Sequence, residues 1–140
     1  MAVIERTLVL IKPDGVERGL VGRIVTMFEQ RQIRLVGMKL LNAPREQVET
    51  HYAEHRGKGF FEDVVNFLTS GPIVAMALEA PNVIGIVRQM SGATNPKDAA
   101  PGTIRGDYSL TIESNVVHTA ADSDAAVREL AIWFSPSELL

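Results

Sequence analysis

The chain has 140 residues, 46% of them apolar and 22% charged, with 14 basic against 17 acidic side chains, a net charge of −3 and no cysteine. That size and balance predict one compact domain over residues 1–140 and exclude a disordered chain, a disulfide scaffold and a thiolate metal centre. A net negative charge does not suit a surface built to hold a polyanion, so any phosphate site must be local. Apolar runs such as Ile73 to Leu78 are too short to span a membrane, and Glu5 and Arg6 interrupt any leader pattern, so a cytoplasmic location is expected.

Thr7 to Ile11 is a short run rich in β-branched residues and stopped by Lys12-Pro13-Asp14-Gly15, which predicts a buried strand ending in a turn with Lys12 at its tip. Leu20, Ile24, Met27 and Phe28 recur at helical spacing and predict a helix over residues 20–31. Ile33 to Leu41 reads as a second strand, and Asn42 and Pro44 then open a helical stretch containing Val48, Tyr52 and Ala53. A helix from about Phe60 to Ser70 is closed by Gly71-Pro72, after which Ile73 to Glu79 is apolar almost throughout and is predicted to be a central strand. Val83 to Met90 reads as a helix capped by Asn82, with Arg88 near its end. Ala93 to Asp107 holds two prolines, two glycines and no periodicity, and is expected to be a functional loop. Val116-Val117-His118 makes a last short strand, and Asp122, Ser123 and Asp124 offer caps for a final helix to about Phe134. The order β-α-β, helical insertion, β-α-β fits an α+β ferredoxin-like split βαβ sandwich, a four-stranded antiparallel sheet covered by helices.

Neither a Walker loop nor a dinucleotide turn is present, so phosphate must be held by side chains. Lys12, Arg88, Thr94 and Arg105 are the candidates. Taken one at a time, each cation also reads as a solvated surface charge, and only their joint placement points to a phosphate site. His118 is expected to project from a rigid strand edge. Its imidazole is largely neutral near pH 7 and can attack phosphorus, provided a partner such as Glu129 holds the other ring nitrogen. Local features alone leave a satisfied structural histidine open. His51 and His55, four apart, could share a metal, yet no third ligand is evident. The Phe60-Phe61 pair reads first as core.

The segments Glu5-Arg6-Thr7-Leu8, Ile11-Lys12-Pro13-Asp14-Gly15, His51-Tyr52-Ala53-Glu54-His55, Ser70-Gly71-Pro72, Gly92-Ala93-Thr94-Asn95-Pro96, Pro101 to Asp107 and Asn115-Val116-Val117-His118 together resemble the nucleoside diphosphate kinase family over essentially the whole chain. The resemblance implies reversible ping-pong transfer of a γ-phosphoryl group from ATP or another nucleoside triphosphate to a nucleoside diphosphate. His118 would be the phosphorylated residue and Glu129 its orienter. Lys12, Tyr52, Arg88, Thr94, Arg105 and Asn115 would bind phosphates and sugar, and the base would lie between Phe60 and Ile112 with little discrimination. It further implies Mg²⁺ carried on the nucleotide with no direct protein ligand, and a homo-oligomer, hexamer or tetramer. A nucleotide-binding regulatory protein on the same scaffold is the alternative. A nucleic-acid module is disfavoured by the acidic balance. The chain departs from the family after His118, where Thr119-Ala120-Ala121 replaces the common Gly-Ser-Asp, so a hydroxyl and a carboxylate expected beside the histidine are absent.

Overall fold

The computed structural model describes residues 3–140. Its four strands, β1 (Ile4–Ile11), β2 (Arg34–Leu41), β3 (Ile73–Pro81) and β4 (Val117–Thr119), form one sheet in the order β2-β3-β1-β4. Every neighbouring pair is antiparallel, as the split βαβ reading requires. The seven α-helices of the described residues are α1 (Pro13–Glu17), α2 (Val21–Gln30), α3 (Arg45–His51), α4 (Phe61–Leu68), α5 (Val83–Ser91), α6 (Ile104–Tyr108) and α7 (Ser123–Trp133). No helix among the described residues is long and apolar enough to cross a membrane.

The sheet is apolar on both faces because successive side chains of a strand point to opposite sides. Val9, Ile11, Val74, Met76 and Leu78 pack with Ile24, Phe28, Val83 and Val87 from α2 and α5. Leu8, Leu10, Ile73, Ala75 and Ala77 pack the other way against Val48, Phe61, Val65, Leu68 and Trp133 from α3, α4 and α7. β3 is thus buried on two sides, and its unbroken apolar run follows from its inner position.

Four expectations are corrected. The segment after Lys12 is not a turn but the short helix α1, with Pro13 preset at its first position. Gly15 is needed there because a β-carbon would stand 2.8 Å from Ile11 Cγ2. Asn82 does not cap α5 with its side chain; it adopts a left-handed backbone (φ 56°), and Glu5 Oε1 instead accepts from the Ile84 N–H at 3.3 Å. The 93–107 segment is not structureless. It holds a 3₁₀ turn at Pro96–Asp98 and the start of α6, whose Thr103 side chain accepts from the Gly106 N–H. Finally, β4 begins at Val117, one residue late, because Val116 turns left-handed at φ 72°. The final helix does start as read, with Asp122 Oδ1 accepting from the Ala125 N–H at 2.8 Å.

Candidate active site

Lys12 leaves the end of β1 just where β4 lies alongside, since Leu10 and Ile11 pair with His118 and Val117. The two strand ends are fastened by backbone. The Lys12 N–H donates to the Val116 carbonyl at 2.8 Å, while the Val116 N–H donates to Asp14 Oδ2 at 3.0 Å. A β-branched residue at positive φ costs on the order of 1–3 kcal/mol, and it persists here because both of its backbone polar groups are held. The result is that Asn115 and His118 face the Lys12 side chain. Lys12 Nζ donates to Asn115 Oδ1 at 2.8 Å, and Asn115 Nδ2 donates to the Thr94 carbonyl at 3.0 Å.

Arg105, at the start of α6, straps this corner from behind. Its Nε, Nη1 and Nη2 donate to the carbonyls of Asn115 (3.2 Å), Gly92 (2.9 Å) and Val117 (2.7 Å). The guanidinium is therefore a structural clamp as well as a buried charge. Gly106 beside it permits the approach, since a β-carbon would overlap the Ala100 carbonyl oxygen. Arg88 is exposed, and among the described residues its side chain has no hydrogen-bond or ion-pair partner.

Lys12, Tyr52, Arg88, Thr94, Arg105, Asn115 and His118 line one cavity of about 810 Å³ together with Phe60, Asp63, Ile112 and Glu113. All ten residues singled out from the sequence come together around it except Glu129, which stands behind His118. Phe60 and Ile112 are each half exposed, 48% and 49%, whereas Phe61 is core.

Glu129 lies on the inner face of α7 with Ala126 and Trp133, and its Oε1 is 2.7 Å from His118 Nε2. Nδ1 of His118 has no protein partner among the described residues. Burial, then the positive charges of Lys12, Arg105, Arg88 and Arg128, holds the imidazole well below its ordinary value. Burial foremost raises the Glu129 carboxyl. Burial, followed by the Arg105 charge, brings Lys12 down to about 8, and burial brings Arg105 to about 10. Tyr52 is pushed up, again chiefly by burial.

His51 was legible as a possible metal partner of His55 and as part of a family-like segment, with no role beside His118, and the structure separates the pair. His55 Nδ1 meets Lys58 Nζ at 3.0 Å on the surface, whereas His51 is buried with its Nε2 3.1 Å from His118 Nε2. Trp133, also unremarked in the sequence, donates to His51 Nδ1 at 2.9 Å. The i, i+3 spacing of Val48 and His51 and the i, i+4 spacing of Glu129 and Trp133 are the signals that placed them inward. Ala120 is fully buried and brings no hydroxyl to this corner.

A neutral imidazole backed by a carboxylate and faced by three cations equips a protein to accept a phosphoryl group. The nucleoside diphosphate kinase family model matches residues 5–139. A nucleoside diphosphate kinase of Thermus thermophilus is 57% identical over 97% of this chain and 99% of its own length, and one from Carboxydothermus hydrogenoformans is 54% identical over 97% and 91%. The solved structure of a halophilic nucleoside diphosphate kinase from Halobacterium salinarum in complex with CDP superposes with a TM-score of 0.95 at 46% identity, covering 99% of this chain and 92% of that one. The chain belongs to the nucleoside diphosphate kinase family. The match over nearly the full length supports a catalytic nucleotide kinase, and not the regulatory alternative.

Proposed function

We propose that residues 1–140 act as a single domain in which Nδ1 of His118 carries the phosphoryl group between a nucleoside triphosphate and a nucleoside diphosphate. The observation that carries this reading is the 2.7 Å contact of His118 Nε2 with Glu129, which leaves Nδ1 as the nitrogen free to react in the cavity. In the first half-reaction the Nδ1 lone pair attacks the γ-phosphorus, and the bond to the bridging oxygen breaks with its electrons on the departing diphosphate. In the second, a terminal oxygen of another diphosphate attacks the same phosphorus, and the P–Nδ1 electrons return to the ring. Lys12, Arg88 and Arg105 offset the charge on the transferring group, Asn115 holds Lys12 in place, and Tyr52 and Thr94 contribute to the wall around phosphates and sugar.

The base rests between Phe60 and Ile112. Stacking on a π-face that every base possesses gives broad base tolerance. Mg²⁺ fits this site as a passenger on the nucleotide: the cations Lys12, Arg88 and Arg105 line the cavity, and its carboxylates Asp63 and Glu113 belong to no cluster of three or more potential metal ligands among the described residues. It would be held by phosphate oxygens and water, where it neutralises phosphate charge. A cytoplasmic homo-oligomer, hexamer or tetramer, completes the reading. Incubation with γ-labelled ATP should give an acid-labile, base-stable phosphoenzyme that surrenders its label to any added nucleoside diphosphate. His118→Ala should form none; label retained in that variant would refute the assignment.

A further inference from the structure

Behind the reactive ring stand two side chains that this mechanism does not use. His51 closes α3, and Trp133 donates its indole N–H to His51 Nδ1 at 2.9 Å. An indole nitrogen can only donate, so Nδ1 of His51 must present a lone pair. Burial, then the nearby His118, lowers the His51 ring to about 3, so it stays neutral at working pH and its single hydrogen sits on Nε2. That nitrogen is 3.1 Å from His118 Nε2 and 4.0 Å from Glu129 Oε1, so while His118 Nε2 keeps its own hydrogen for Glu129 the two N–H groups oppose each other, a conflict relieved when that hydrogen leaves. The indole thus dictates which nitrogen of His51 addresses the nucleophile.

The same arrangement opposes a metal at this corner. His51, His118 and Glu129 bring three potential ligand atoms within 4.8 Å of one another. Ligation through His51 Nε2 would move its hydrogen to Nδ1, directly facing the indole N–H.

We infer that His51 is a positioning residue for His118, its tautomer set by Trp133, and that its Nε2–H takes over the hydrogen bond to His118 Nε2 whenever that nitrogen is bare. The inference rests on His118 being the phosphoryl carrier. As Nδ1 bonds to phosphorus, positive charge develops on the ring, and the Nε2 proton moves across 2.7 Å to Glu129 Oε1. Burial raises the affinity of that carboxyl for a proton. The bare Nε2 then accepts from His51, and when the phosphoryl group departs the proton returns from Glu129. His51 also meets His118 edge-on, with ring centroids 4.4 Å apart and planes at 81°, which fixes the plane of the nucleophile.

Trp133→Phe removes the indole N–H while keeping an aromatic ring in the core, and His51→Phe removes the relay itself. Each should lower kcat by roughly tenfold, the scale on which orienting partners act, with KM for ADP unchanged. The double variant should be no slower than His51→Phe alone, and His51→Gln, which restores an N–H donor, should recover most of the loss. Losses that multiply in the double variant, or KM rising in step with the fall in kcat, would overturn the role. A measurement on the unaltered protein needs no variant to fold. Nitrogen-15 NMR should find the His51 hydrogen on Nε2 and Nδ1 bare, and a hydrogen on Nδ1 overturns the inference. Phosphate absent from His118 would remove the carrier reading and this role with it, whereas phosphate on His118 with His51 protonated at Nδ1 would remove only the role of His51.

Discussion

Around the cavity, Lys12, Asn115, Arg105 and His118, the residues proposed to handle the phosphates, sit at strand and helix ends, and each is tied by at least one hydrogen bond to another part of the same corner. Of the two residues proposed to hold the base, Phe60 precedes α4 and Ile112 opens a 3₁₀ turn, both half exposed and neither backed by the sheet. The difference matches the tasks. In-line transfer tolerates little displacement of the reacting atoms. A base held only by stacking can shift or be exchanged for another at small cost.

The contrast can be broken most severely at Arg105. Arg105→Met leaves the carbonyls of Gly92 and Val117 without their donor, while that of Asn115 keeps the Val117 N–H, and unmet buried polar groups cost about 1–3 kcal/mol each. The variant should lose roughly 2 kcal/mol or more of unfolding free energy by chemical denaturation, together with phosphoenzyme formation; an unaltered denaturation midpoint would show that the clamp is not structural.

Next comes Lys12, whose charge disappears as pH rises through about 8. Because His118 is held below its ordinary value, its neutral form persists on the acid side, so its protonation should produce no loss of kcat/KM around pH 6.5. The expected loss lies on the alkaline side, where the cation vanishes. Lys12→Arg, a group that keeps its charge, should shift that decline to higher pH even if its peak activity is lower. An unmoved alkaline limb would assign the titration elsewhere.

A smaller effect is expected at the residues proposed to hold the base. Phe60→Ala should raise KM by roughly fivefold, near the low end of stacking energies because the ring is half exposed, and by similar factors for purine and pyrimidine diphosphates. A change confined to one base would mean that the site reads base edges. Smallest is Ala120→Ser, which restores a hydroxyl near Glu129 and should lift kcat by roughly two- to threefold; steady-state kinetics showing no rise would mean the corner is already complete without it.

Much of this was legible in the chain because the sheet is written in apolar runs: Thr7–Ile11 and Ile73–Glu79 could only be inner strands, and β3 proved central. Two short helices were hidden. α1 begins Pro-Asp-Gly, which reads as a turn, and α6 spans too few residues for any periodicity and owes its start to Thr103. The left-handed Val116 has no local signal at all, since its conformation is imposed by hydrogen bonds to residues about a hundred positions away. The proposed site residues Lys12 and His118 stood out by type and place. His51 and Trp133 did not, because 67 residues separate His51 from His118 and 82 separate it from Trp133, and only the packing of α3 and α7 on the sheet unites them.

Phosphorus-31 NMR of the enzyme phosphorylated with nitrogen-15-labelled histidine is the most direct test of how this corner works. Coupling of the phosphorus to Nδ1 of His118 is the predicted result. Phosphorus coupled to Nε2, or bonded to any other residue, would contradict it.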